Sequence, residues 1–461
     1  MANLQDLKKY KNIYMIGIGG ISMSGIAEIL KNWGFNVGGS DLNSSDVIDK
    51  LIANNISVTI GHNLDALSKA DLVVYSAAIK PTDVELVKAH ELGIPVVERA
   101  DFLGEITRCF RNTICVSGTH GKSTTTSMVS MCFLEAHKDP TIQIGAALDD
   151  ISGNYRIGNS DFFILEACEY VESFLKFYPK AEIILNIDND HLDYYGTLDN
   201  VKSAFVKYVK LLPDDGILVY NADDINCSHL SQYTKAKSLT FGINSSNANF
   251  VAKNISFDKN GYPSFDVYYN NTFYKTMKLS IPGKHNVLNA LSCIALCNEF
   301  GIDKNDIKNA LLKYKGAHRR FEYIGEFNGV KVYDDYGHHP TEIQATAEAL
   351  KKKNYNHSWI IFQPHTYSRT KNLLDDFAKC LLNFDNIIVT DIYAARETNT
   401  YGVSSKDIVE KIDSMGRTAY YIPNFDDIVE FVKRNAKPDD IVLTQGAGTV
   451  TQIGPKLVEK N

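Results

Sequence analysis

Residues Ile114–Met128 read ICVSGTHGKSTTTSM: an apolar run, two glycines, a lysine directly after the second glycine, then hydroxyls. The apolar start predicts a strand and the residues from Lys122 onward predict a helix, which places Gly118, Thr119, His120 and Gly121 on a strand-to-helix turn. Backbone N–H groups and the helix dipole favour an anion at such a turn. Glycines let phosphate oxygens approach the backbone, Lys122 supplies a mobile positive charge, and the hydroxyl of Ser123 or Thr124 can ligate magnesium. Only Thr119 and His120 separate the two glycines, where the Walker pattern has four residues. A helix start capped by Ser117 or Thr119 is the reading that needs no ligand. Lysine and hydroxyls following the second glycine without a gap favour nucleotide binding.

Outward from this turn the chain alternates. Upstream, the strand-like runs NIYMIG, FNVGGSD, ISVTIGH and DLVVYSA alternate with helical stretches such as Ile21–Trp33 and Val47–Ala53. That order predicts a parallel sheet wrapped by helices. Downstream, DFFILEA and AEIILNI continue the pattern, and ISFDKNGYPSFDVYYNNTFYKTMKLSI predicts antiparallel hairpins turning at Asn260-Gly261 and near Asn270-Asn271. After HRRFEYIG the alternation returns with GVKVYDD, a helix over Pro340–Lys352, SWIIFQP, a helix near Lys371–Leu382, NIIVTDI and DDIVLTQGAG. The fold class is therefore α/β, in three units joined without a Gly/Ser-rich linker or an internal repeat.

A chain of 461 residues accommodates two to four domains. The net charge of -7 is spread along it, with no basic run to mark a nucleic-acid surface, so no nucleic-acid partner is expected. The eight cysteines show no CxxC pairing and several sit in apolar runs, as buried thiols of a reducing compartment do. The start KKYKNIYMIGIGGISMSGIAEIL imitates a signal peptide, but glycines and serines interrupt its apolar part and Glu28 follows closely. No apolar run approaches the roughly 18 residues a membrane helix needs. The expected location is the cytoplasm, without membrane insertion.

Three further clusters could carry chemistry. GIGGISMSG follows the first strand and Asp41 lies about twenty residues on, the layout in which a diphosphate rests on a helix N-terminus and an acid meets a ribose hydroxyl. Gly25 lies two residues beyond the third glycine of that pattern, and a tight turn with close helix packing fits equally. LEACEY and NIDNDHLDYYG each follow an apolar strand, so Glu166, Asp188, Asp190, His191 and Asp193 could converge near the phosphate loop and hold a divalent cation. The same acids could equally cap helices. VYDDYGHHPTEI places Asp334, Asp335, His338 and His339 after a strand, and FQPHTYSRT does so for His365 and Arg369, suited to a carboxylate or phosphate or to a solvated loop.

In order, GIGGISMSGIA, SGTHGKSTTT, NIDNDHLD, GKHNVLNALSCIA, HRRFE, DDYGHHPTEI and FQPHTYSRT resemble the motifs of the Mur ligases of bacterial cell-wall synthesis. The resemblance spans the chain. It implies a Rossmann-like UDP-substrate domain (1–108), a central P-loop ATPase-type domain with antiparallel hairpins (109–318) and a Rossmann-like C-terminal domain that receives the amino acid (319–461). It implies ATP and Mg2+ as cofactors, UDP-N-acetylmuramate and L-alanine as substrates, and a monomer or weak homodimer. The implied reaction joins the two through an acyl phosphate in peptidoglycan precursor synthesis. A Mur-type ligase that joins a preformed peptide is the nearest alternative; an NAD-dependent oxidoreductase leaves the phosphate loop unexplained.

Carried over by position, Gly19, Gly20 and Ser22 would meet the UDP diphosphate, with Asp41 and His62 nearby. Gly118, Thr119, His120, Gly121, Lys122, Ser123 and Thr124 would hold ATP phosphates, with Asn286 and Asn289 towards adenine and Arg319 or Arg320 completing the nucleotide site. Ser123, Glu166 and His191 match metal positions. Lys122, Glu166, His191, His338 and Arg369 would carry the catalysis, with His339 serving the same closed site. The chain departs from the family at Cys168 and Tyr170, where many relatives read Glu-Ala-Asp-Glu-Ser, and at Ser123, which replaces threonine.

Overall fold

The computed structural model describes residues 7–395 and 397–459, without the side chain of Asp193. Two compact units emerge. The first comprises the described residues up to Asp188 together with Asp199–Phe250 and Ser292–Ile307; the second comprises Asn189–Leu198, Val251–Leu291 and the described residues from Lys308 onward.

The first unit opens with a five-stranded sheet in the spatial order Ser57–Ile60, Asn36–Asp41, Asn12–Ile16, Leu72–Tyr75 and Val96–Glu98. Its ladders are all parallel, as expected when helices return the chain between strands. Asn12–Ile16 has neighbours reached in opposite directions along the chain, which makes its C-terminal end the crevice where such sheets receive ligands. Tyr14, Ile16, Val73, Leu86 and Ala89 pack one face.

Seven more strands of this unit run in the order Lys237–Gly242, Ile217–Asn221, Ala181–Ile184, Asn112–Ser117, Phe162–Glu166, Thr141–Leu148 and Gly153–Arg156. All pairs are parallel except the last. Asn112–Ser117 is central and buried from its second residue on, which its continuous apolar run required. The helix Lys122–Glu135 that follows is buried along most of its length although all of its first six residues are serine, threonine or lysine. Two of its hydroxyls bond backward to the helix itself, Thr126 Oγ1 to the Lys122 carbonyl at 2.9 Å and Ser127 Oγ to that of Ser123 at 2.8 Å, which helps the polar run enter the core.

In the second unit, strands Phe250–Phe257, Pro263–Tyr269 and Thr272–Lys278 lie side by side. Gly261 and the pair Asn270 and Asn271 adopt positive φ between them, at the two turns the sequence marked. A six-stranded sheet follows in the order Glu322–Phe327, Val330–Asp335, Ile441–Gln445, Ser358–Phe362, Asn386–Val389 and Ala419–Tyr421, parallel apart from its first pair. Helices cover both faces, one core built on Ile343, Phe362, Phe377 and Leu443, the other on Val332, Ile361, Ile428 and Val442. The helix expected near Lys371–Leu382 is two helices, Tyr367–Asn372 and Leu374–Leu381, broken at Leu373. Among the described residues no helix is long and apolar enough to cross a membrane.

Candidate functional site

The turn at Gly118 is built for close approach. Gly118 and Gly121 have φ of 133° and 86°, conformations that side chains disfavour. Gly121 is the residue before the helix and no side chain caps that end. The capping reading therefore fails: Ser117 belongs to the strand, and Thr119 Oγ1 instead accepts from the Asp188 N–H at 2.9 Å. Asn186 fixes the loop from the next strand end, accepting from the N–H of His120 at 2.8 Å and donating to the His120 carbonyl at 3.0 Å. His120 Nε2 lies 3.0 Å from Asp188 Oδ2. Asp188 thus does meet the loop, through its threonine and its histidine.

Lys122 folds back over the turn. Its ammonium donates to the carbonyls of Gly118 at 2.6 Å and Thr119 at 3.0 Å, and to both carboxylate oxygens of Glu169 at 3.1 and 3.0 Å. Burial opposes its charge, but Glu169 outweighs that and raises the pKa above the ordinary lysine value. Glu169 itself is buried. No local pattern marks this residue in the sequence, because its partner lies 47 positions away. Three places before it, at the end of Phe162–Glu166, Glu166 accepts the N–H of Gly145 at 2.6 Å. Glu166 and Ser123 offer a carboxylate and a hydroxyl, hard oxygen donors of the kind magnesium takes.

At the first sheet, Gly19 donates its N–H to Asp41 Oδ2 at 3.0 Å, and Gly20 precedes the helix Ile21–Asn32 with no side-chain cap. Ser22 Oγ accepts from Gln143 Nε2 at 2.7 Å and stands 3.4 Å from an Arg99 nitrogen. Neither Gln143 nor Arg99 was legible as a partner. Gly25 lies where an added Cβ would meet the Tyr155 side chain at 3.4 Å, so its role is packing. His62 Nδ1 is 3.4 Å from Glu85 Oε2, a buried carboxylate that also accepts from Tyr14 OH at 2.7 Å, Ser40 Oγ at 2.6 Å and the Asn63 N–H at 2.8 Å.

The second unit gathers most of the remaining candidates. Arg369 donates to Asp190 Oδ1 at 2.7 Å and lies 3.0 Å from His365 Nδ1. The His338 and His365 rings are 5.2 Å apart. His339 Nε2 is 3.3 Å from the Asn189 carbonyl, and Glu342 accepts from the N–H groups of both His338 and His339. Burial would raise the Asp190 pKa, but Arg369 and the histidines hold it well below the carboxylate range. Burial pushes His338 down to about 3 and His365 down to about 4, so both rings are neutral at pH 7.

His191, next to Asp190 with its Nε2 3.8 Å from Asp190 Oδ2, has a left-handed φ of 55°. It belongs to this unit, whereas Glu166 and Ser123 belong to the first. Asp193, grouped with these acids from the sequence, has its side chain outside the described residues. Arg319 Nε donates to buried Asp334 at 3.2 Å and its NH2 group to the Gly446 and Gly448 carbonyls at 2.6 and 3.2 Å. Asp335 is buried, accepts from the N–H groups of Phe321 and Gly337, and is pushed up to about 6 by that burial. Asn286 Nδ2 donates to the Pro282 carbonyl at 2.7 Å and Asn286 Oδ1 accepts from Asn289 Nδ2 at 3.0 Å, with both asparagines on the first turns of the helix Lys284–Glu299.

Residues 12–111 match the Mur ligase family catalytic domain, 116–297 the Mur ligase middle domain and 319–448 the Mur ligase glutamate ligase domain. The UDP-N-acetylmuramate–L-alanine ligase of Acetivibrio thermocellus is 48% identical over 452 residues, covering 98% of this chain and 96% of the relative. That of Clostridium beijerinckii is 47% identical over 451 residues, covering 98% of each chain. The crystal structure of UDP-N-acetylmuramate-alanine ligase MurC from Thermotoga maritima superposes with a TM-score of 0.82 at 30% identity, over 97% of this chain and 98% of that one. A murein peptide ligase from Psychrobacter arcticus, at 24% identity and a TM-score of 0.71 over 97% of this chain and 98% of its own, shares the fold. With three domain models matched in sequence and near-half identity along its whole length, the chain belongs to the Mur ligase family.

Proposed function

We propose that this protein is the ATP-dependent ligase that joins L-alanine to the carboxylate of UDP-N-acetylmuramate in peptidoglycan precursor synthesis. The relatives of near-half identity carry that name, and ATP dependence is the family's. The observation that supports it best within the chain is the Lys122 ammonium, held over an uncapped glycine turn at the start of a helix.

The chemistry follows from a carboxylate's lack of a leaving group. The muramoyl carboxylate attacks the γ-phosphorus of ATP, ADP departs, and the acyl phosphate so formed is attacked by the alanine amine with loss of phosphate. Positioning and electrostatics supply most of the catalysis of phosphoryl transfer. Lys122 and the N–H groups of the turn stabilise charge on the transferring group, and Asn186 and Asp188 keep the turn in register. Gly19, Gly20 and Ser22, with Asp41 and His62, receive the UDP diphosphate, while Arg319, Asn286 and Asn289 serve the nucleotide. Ser123, Glu166 and His191 are the residues that would hold Mg2+, which when bound neutralises phosphate charge. His338 and Arg369 act at the amino-acid end.

The test is phosphate release from ATP with UDP-N-acetylmuramate, with and without L-alanine. Release that depends on both substrates is expected. Release independent of alanine, or supported by a preformed peptide in place of alanine, would overturn the assignment.

A further inference from the structure

The helix that begins at the phosphate loop, Lys122–Glu135, carries Cys132 near its far end, and Lys284–Glu299 carries Cys293 and Cys297 one turn apart on one face. The three thiols meet in the core of the first unit. Cys132 Sγ is 3.6 Å from Cys293 Sγ, and Cys293 Sγ is 3.9 Å from Cys297 Sγ. Each residue is 0% exposed, and among the described residues this is the one all-sulphur grouping with metal-ligating spacing. The reaction proposed above makes no use of it.

We infer that Cys132, Cys293 and Cys297 form an all-sulphur binding site for a soft monovalent cation of the Cu(I) class.

Geometry and ligand number support this independently. A metal–sulphur bond of about 2.3 Å places two sulphurs of one coordination sphere roughly 3.8–4.0 Å apart, so these two separations need adjustments of only a few tenths of an ångström, and the third pair lies within 4.8 Å. The grouping contains three sulphurs and no imidazole or carboxylate. Structural zinc takes four ligands, whereas thiol ligands select Cu(I). Binding exchanges protons for metal: as each sulphur coordinates, its thiol proton goes to solvent and a copper–thiolate bond forms, and no electron moves. The bound ion would cross-link the phosphate-loop helix to its neighbour.

The test is an anaerobic titration of the full chain with Cu(I) against the competitor bathocuproine disulfonate. The wild-type chain should retain one Cu(I) at competitor concentrations that strip Cys132→Ser, Cys293→Ser and Cys297→Ser, while Cys168→Ser, which removes the exposed thiol, should retain it. Circular dichroism and the thermal midpoint of each metal-free variant report whether the fold is kept. X-ray absorption at the copper edge of the wild-type complex, which depends on no variant, should give a shell of three sulphurs. Failure of the wild type to retain copper, retention by a folded Cys293→Ser variant, loss in Cys168→Ser, or oxygen or nitrogen in the shell would each overturn the site.

Discussion

At the scale of single residues, the Lys122–Glu169 pair shows what sequence can and cannot convey. Lysine after a glycine turn announces phosphate by local pattern alone, and Lys122 is where that pattern put it. Its counter-ion is a different matter, because Glu169 arrives from the far side of another strand and becomes a partner only through the fold. Gln143 and Arg99 escaped notice for the same reason, as both reach Ser22 from distant elements. The pair is nearly dry, with Lys122 16% and Glu169 2% exposed, so removing one charge strands the other. Glu169→Gln should lower stability by about 3 kcal/mol, near the lower end for breaking a buried pair. On the proposed reading, ATP at the turn brings the missing negative charge. The rise in thermal midpoint on adding ATP should therefore be larger in Glu169→Gln than in the wild type, where the triphosphate must compete with a carboxylate for the same ammonium. Scanning fluorimetry with and without ATP reads both effects, and an unchanged apo midpoint with an equal ATP shift would contradict the argument.

Elements were legible wherever periodicity was strong. The helix Ile21–Asn32, the buried strand Asn112–Ser117 and the hairpin turns stand where apolar spacing and Asn-Gly signals put them. Short edge strands such as Ala419–Tyr421 carry too few residues to show a period, and the break at Leu373 lacks a proline or glycine to announce it. The phosphate turn is the element on which the proposed function rests. A Cβ on Gly118 would stand 3.0 Å from Leu185 Cβ and 3.1 Å from the Asn186 nitrogen, against a neighbouring strand end that cannot yield as a flexible side chain would. With φ at 133°, Gly118→Ala also incurs backbone strain of about 1–3 kcal/mol. The turn must shift, and its N–H groups with it. ATP affinity should fall at least about tenfold, the equivalent of 1.4 kcal/mol, while affinity for the UDP substrate at the first sheet is retained. Calorimetric titration with each ligand separates the two, and unchanged ATP affinity would remove the turn from the nucleotide site.

On the scale of the whole molecule, the two units bury opposite kinds of titratable group, an asymmetry hidden from a sequence in which histidines and acids are scattered throughout. In the first unit Glu182 is fully buried on the strand Ala181–Ile184 without a hydrogen-bond partner, and burial raises its pKa well above the carboxylate range. Asp224 is raised too, again by burial. In the second unit, burial lowers His285 to about 4, His338 to about 3 and His365 to about 4, facing Glu342, Glu348, Asp190 and Arg369, while Asp335 is raised to about 6. The signs follow from which state holds the proton. Folded Glu182 keeps a proton that the unfolded chain releases above about pH 4.3, so its contribution is present in acid and lost as pH rises through the folded pKa. The folded histidines refuse protons that the unfolded chain takes up below about pH 6.5, so theirs is present at neutral pH and lost as pH falls. Three histidines outweigh the single opposing aspartate. Between about pH 6.5 and 4.5 the second unit should therefore weaken and the first should not, with each net proton changing stability by about 1.4 kcal/mol per pH unit. Hydrogen exchange read by mass spectrometry at pH 7 and pH 5, corrected for intrinsic rates, resolves the units: protection in Ser358–Phe362 and Ile441–Gln445 should drop on acidification, while that in Asn112–Ser117 and Ala181–Ile184 holds or rises. Equal losses in both sets of strands would mean that these buried groups do not govern the acid response.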